Sequence, residues 1–209
     1  GDLALEKHDF ALAARAYEEG LKQLPEDPDL LGGRGRAYAE SDREVAMASL
    51  QEALKQNSRH VPTLLQFADY HIKGEAYAEA AKVLDDVIDT NPLEPDAWAY
   101  RAVIAHLKND PLVEKFARER ALSSWARNPR VDSLIGEKLS AKYRFAEGAA
   151  YQRRAREFDP DYLPAKARLA NDLLRIGEDK EGWALAQAVH EKDEYDVEAF
   201  NLVTLRETM

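Results

Sequence analysis

The stretch YAEAAKVLDDVIDTNPLEPDAWAYRAVIAH, residues 77–106, decides the fold. Its first half, from Tyr77 to Thr90, carries apolar residues at three- and four-residue steps, the period of an amphipathic helix. The prolines of NPLEP at 91–95 end that helix and open a turn. A second apolar-periodic segment follows, with Trp98 and Ala102 one turn apart. Small residues such as Ala80 and Ala102 let two helix backbones approach closely, while Leu84 and Trp98 fill the space beside them. The stretch therefore reads as two helices packed face to face.

The same residues recur along the whole chain. Gly1, Gly35, Ala68, Ala102, Gly136, Ala170 and Thr204 are spaced by 34, 33, 34, 34, 34 and 34, and each is small. A second ladder runs Gly20, Ala53, Val87, Ala121, Ala155, Val189. A third runs Ala13, Ala46, Ala80, Glu114, Gly148, Gly182, broken only by Glu114. The larger fillers are Tyr17, Leu50 and Leu84 in second helices, and Leu31, Leu64, Trp98 and Phe200 in first helices. LPEDP at 24–28, NP at 128–129 and DPDYLP at 159–164 punctuate the boundaries. No sustained period-2 alternation suggests a sheet.

This pattern resembles the tetratricopeptide repeat (TPR), a 34-residue helix–turn–helix unit. PDAWAYRAVIAH matches its first helix through Trp98 and Ala102, and YAEAAKVLDDVIDTNP its second through Ala80, Leu84 and Pro92. The resemblance implies an all-α, right-handed α-solenoid of antiparallel helix pairs. It implies one array over 1–209, with a partial repeat at 1–27, repeats 28–60, 61–94, 95–128, 129–162 and 163–196, and a partial one at 197–209. Helices are expected at 1–7/10–23, 28–40/43–57, 61–73/77–90, 95–108/111–126, 129–142/145–158 and 163–176/179–192, then from 197. Glu114 and Arg118 depart from the pattern, and NDP before them places Asp110 as N-cap with Pro111 at N1. Residues 141–209 also resemble TPR regions that precede a peptidase MA-like zinc-metallopeptidase domain in some bacterial proteins. That implies a neighbouring domain rather than an activity of this chain. Gly1 falls in mid-helix and the last first helix lacks a second, so the sequence reads as a piece of a longer protein, with uncapped ends able to self-associate.

Composition agrees with a packed protein. Of 209 residues 45% are hydrophobic and 33% charged, which disfavours disorder. There is no apolar run of about 18 residues for a membrane span. The net charge of −10 disfavours general nucleic-acid binding. Absence of cysteine removes disulfides and thiolate metal sites.

Local motifs yield little chemistry. LLGGRGRAY at 30–38 follows a turn, not a strand, and lacks a Gly-Lys-Ser/Thr continuation, so it is no phosphate loop. Gly35 is instead the small contact residue of a first helix, with Gly32 and Gly33 near that helix's start at some cost in helix stability. HEKDE at 190–194 lacks the second histidine of a zinc helix. His8, His60, His71 and His106 show no ligand spacing, and no nucleophile elbow is present. Neither enzymatic activity, nor a cofactor, nor a metal is expected.

Two surfaces remain. First helices of such arrays line a concave groove, and the register assigns to it Arg36, Asp69, Val103, Glu137 and Asn171, with His106 and Arg175 nearby. The lining is mixed, and Leu65 and Asp69 stand where a carboxylate clamp for chaperone tails would need Lys and Asn. Residues 101–156 carry 13 Lys or Arg against 6 Asp or Glu, between acidic flanks. Lys115, Arg118, Arg120, Arg153, Arg154 and Arg156 would form a basic patch on second helices, either a solvated face or a dock for an acidic partner. The sequence thus predicts a non-catalytic scaffold that binds a protein or peptide through the groove. The alternative is a regulatory or substrate-presenting region of a larger enzyme, such as a bacterial metallopeptidase.

Overall fold

The structure, a computed structural model, describes residues 1–208 apart from the side chain of Glu207. It is all-α, with no strand among the described residues. The chain divides into two compact units, Gly1–Pro92 and Leu93–Met209. The first holds α1 (Asp2–Glu6), α2 (Phe10–Gln23), α3 (Pro28–Tyr38), α4 (Arg43–Gln56), α5 (Val61–Lys73) and α6 (Tyr77–Thr90). The second holds α7 (Pro95–Leu107), α8 (Pro111–Ala121), α9 (Pro129–Ser140), α10 (Phe145–Phe158), α11 (Leu163–Arg175), α12 (Asp179–Lys192) and α13 (Val197–Glu207).

Helix starts follow from capping chemistry. Asp9, Asp27, Asp42, Asp110, Asn128 and Asp196 each accept a bond from a first-turn N–H. Proline occupies the first turn of α3, α5, α7, α8, α9 and α11, where its missing N–H costs nothing. The turn inside a pair reverses through one left-handed residue: Glu75, Asn109, Tyr143 and Gly177 take φ of 61°, 56°, 62° and 83° at successive 34-residue steps. Helix α8 ends at Ala121, short of the expected 126. There Ser123 turns both its N–H and its hydroxyl onto the Arg120 carbonyl, a local bond that competes with helix continuation.

In each unit first helices lie side by side, α1–α3–α5 and α7–α9–α11–α13. Each second helix pairs with its own first helix. Helices α2, α4, α10 and α12 also reach the next first helix. The ladder residues sit at these contacts: Ala13, Ala53, Ala68, Ala80, Val87, Ala102, Ala155, Ala170 and Val189 are fully buried. Gly35 lies under Leu50, and a Cβ there would be 2.5 Å from Leu50 Cδ2. Gly32 and Gly33 are packing positions too, the Thr63 hydroxyl facing one and the Tyr17 ring lying on the other. Buried Ile72, Leu84, Ile135, Leu139, Leu169 and Leu173 supply the bulk, each worth about 1.5–3 kcal/mol of burial.

Candidate interaction surface

The first-helix face is built by polar bonds one repeat apart. In the first unit Arg36 Nη2 lies 2.9 Å from Asp2 Oδ1, and Gln66 Nε2 donates to the Gly32 carbonyl at 3.2 Å. The Tyr17 hydroxyl also donates to Asp2, at 2.6 Å. Burial, reinforced by that acceptor, pushes Tyr17 up to about 12, while the bond holds Asp2 below the usual carboxylate range. Asp69 is half-buried and 3.5 Å from Lys73 Nζ.

In the second unit Arg130 forks onto Asp96 with bonds of 3.0 and 2.6 Å. Arg168 reaches Ser133 Oγ at 3.0 Å and Glu137 Oε2 at 2.8 Å, while Lys138 Nζ sits 2.8 Å from Glu137 Oε1. Burial opposes ionisation of Glu137, yet Lys138, Arg168 and Arg130 outweigh it and hold the carboxyl at about 2. Asn171 is half-buried, and Arg175 is exposed with its guanidinium 5.9 Å from the Phe145 ring.

Beneath this face lies a buried acid. Asp172 is almost fully buried, and burial raises it to about 7. Ser140 Oγ stands 2.8 Å from Asp172 Oδ2 and 3.0 Å from the Gly136 carbonyl. The one Ser140 hydroxyl hydrogen is shared between the Asp172 carboxyl and the Gly136 carbonyl as acceptors. Glu198 of α13 is likewise raised by burial.

One register assignment needs correction. Val103 is fully buried and offers a ligand no surface, because α7 buries residues around most of its circumference, from Ala97 to Ala105. His106 is half-buried beside two carboxylates, Nδ1 3.1 Å from Glu114 Oε1 and Nε2 3.3 Å from Glu147 Oε2, with the Tyr151 hydroxyl donating to Glu114. Glu114, which breaks the small-residue ladder, thus faces His106 of its own helix pair and Tyr151 of the next. The expected basic patch is also partly spent. Arg118 is bound to Asp132 and Arg153 to Glu181 at 2.8 Å, whereas Lys115, 3.9 Å from Glu119, stays exposed. Sequence reasoning missed the ladders Asp2–Arg36 and Asp96–Arg130, although opposite charges 34 residues apart were there to be found.

Among the described residues no group of three or more His, Cys, Asp or Glu could hold a metal ion, and no helix is long and apolar enough to cross a membrane. Two tetratricopeptide repeat models match the chain, over residues 1–60 and 37–104. No curated protein matches it. Among solved structures it is similar to a tetratricopeptide repeat protein from Parabacteroides merdae, with TM-score 0.68 at 14% identity, covering 98% of this chain and 80% of that one. It is similar to a thermophilic TPR protein in Thermus thermophilus, with TM-score 0.63 at 20% identity, covering 83% and 96%. A third, YrrB, described as a TPR protein with an unusual peptide-binding site, gives TM-score 0.50 at 14% identity over 92% and 100%.

Proposed function

The chain is a tetratricopeptide-repeat protein, and we propose that it acts as a non-catalytic scaffold that binds a peptide or partner domain on its first-helix face. One observation carries this reading: side chains on that face are fixed by bonds one repeat apart before any ligand arrives. Arg130, forked onto Asp96 at a 34-residue step, is the clearest case. Groups already ordered cost less entropy on binding, so a mixed polar face of this kind gains affinity without a deep pocket. A peptide site described on the same fold, in YrrB, supports the class of ligand.

Asn171 and Arg175 of the second unit are the residues through which a ligand is read. Glu137 orders its neighbours. Concave surfaces are the general binding faces of repeat arrays. The experiment is capture of partners by the parent and by an Asn171→Ala/Arg175→Ala variant. Loss of capture at unchanged melting temperature supports the assignment, and undiminished capture removes it.

A further inference from the structure

We infer that the outward face of α8 is a second docking site, for an acidic amphipathic helix of a partner protein. It uses none of the residues proposed above and stands whether or not that reading holds. Leu112, Phe116 and Val113 are 81%, 55% and 47% exposed, on one helix of 11 residues. Leu112 and Phe116 are four apart and so form a ridge along one side of α8. Trp98 of α7 meets Phe116 edge to face at 5.9 Å and extends the apolar surface.

The repeat itself shows that packing does not require this ridge. At the position of Leu112 the other second helices carry Ala11, Glu44, Ala78, Ala146 and Lys180, all exposed. At that of Phe116 they carry Arg15, Ala48, Lys82, Ala150 and Ala184, again all exposed. At these two positions, among the described residues, α8 alone carries large apolar side chains. A contiguous exposed apolar patch of this kind marks an interaction site.

Charge selects the occupant. Arg120 stacks over Trp98 at 5.3 Å and holds no carboxylate among the described residues. Lys115 is 76% exposed with Glu119 no nearer than 3.9 Å. Arg154, one repeat beyond Arg120, stacks on Tyr151 at 4.7 Å and likewise meets no carboxylate among the described residues. An apolar ridge beside such cations is complementary to a helix with an apolar stripe and acidic flanks. A second copy meeting through the same face would oppose like charges. An anionic membrane would have to accept a protein of net charge −10.

Nuclear magnetic resonance titration with a synthetic helical peptide, Leu on one face and Glu on the other, tests this directly. The α8 amides and the Trp98 indole are expected to shift. A peptide with Lys in place of Glu should bind at least about tenfold more weakly. Leu112→Glu with Phe116→Lys borrows residues that equivalent positions already tolerate, Glu44 and Lys82, so folding is kept and binding is lost. Equal response to both peptides, or shifts confined to α11, overturns the proposal. So does response to phosphatidylglycerol vesicles in place of the acidic peptide.

Discussion

Arg118 and Asp132 are joined by two bonds of 2.6 Å, with the Asp132 carboxylate fully buried. Arg118 stands where an earlier second helix has Leu84, and Asp132 where first helices have Leu64 and Trp98. Two departures from the apolar pattern thus compensate each other across consecutive repeats. The Arg118 side chain keeps 24% exposure and can turn to water, whereas Asp132 cannot. Arg118→Leu is therefore expected to cost about 3–5 kcal/mol by orphaning a buried charge. Asp132→Leu should cost less, and the double replacement should return near the parent. Urea unfolding of the three variants checks the order, and a double variant worse than either single one would contradict it.

The small-residue ladder makes a sharper prediction at Gly148. A methyl group there would overlap the Ser140 hydroxyl and lie 2.9 Å from Asp172 Oδ2. Gly148→Ala, and Ala80→Leu at its fully buried equivalent, should each destabilise by about 1–3 kcal/mol through overpacking. Gly74 meets nothing nearer than the Tyr70 carbonyl at 3.5 Å and its φ is −81°. Gly74→Ala should stabilise by about 0.4–1 kcal/mol through the unfolded chain. Equal melting temperatures for the parent, Gly148→Ala and Ala80→Leu would remove the packing account.

Most of the helix pairing was legible because small residues, prolines and caps recur at one period, and each has a local physical effect. What the register could not supply was the partner of each polar group. Val103 and Asn171 share a register position, yet α7 is apolar around most of its surface and buries Val103, while α11 leaves Asn171 half-exposed. Arg118 reads as a surface cation until Asp132, 14 residues on, is placed beside it. The α8 ridge escaped notice because Leu112 and Phe116 match helical periodicity as core residues would, and only neighbouring repeats reveal that their face is outward.

Asp172 should make stability depend on pH. Its folded value of about 7 lies above the ordinary 3.8, so the folded chain binds this proton more tightly in that window. Stability is then greatest at the acid end and falls as pH rises through the window, where the buried carboxyl must ionise. Glu198, raised by burial, acts in the same direction. Glu137 acts oppositely, but only as pH falls from 4.5 toward about 2. Asp172→Asn keeps the hydrogen bond with Ser140 and should flatten most of the slope between about pH 4 and about pH 7. Denaturant midpoints across that range decide the point, and an unchanged slope would refute the raised titration of Asp172.

The central claim is that the first-helix face carries the binding function. Its most direct measurement compares partner capture by the parent, Asn171→Ala/Arg175→Ala, and the charge reversals Arg153→Glu/Arg154→Glu, at matched melting temperature. The account predicts loss of the principal partner in the first variant and its retention in the second, with modest salt dependence. Loss confined to the second variant, relieved in the parent by salt that screens exposed charges beyond about 8–10 Å, would contradict it.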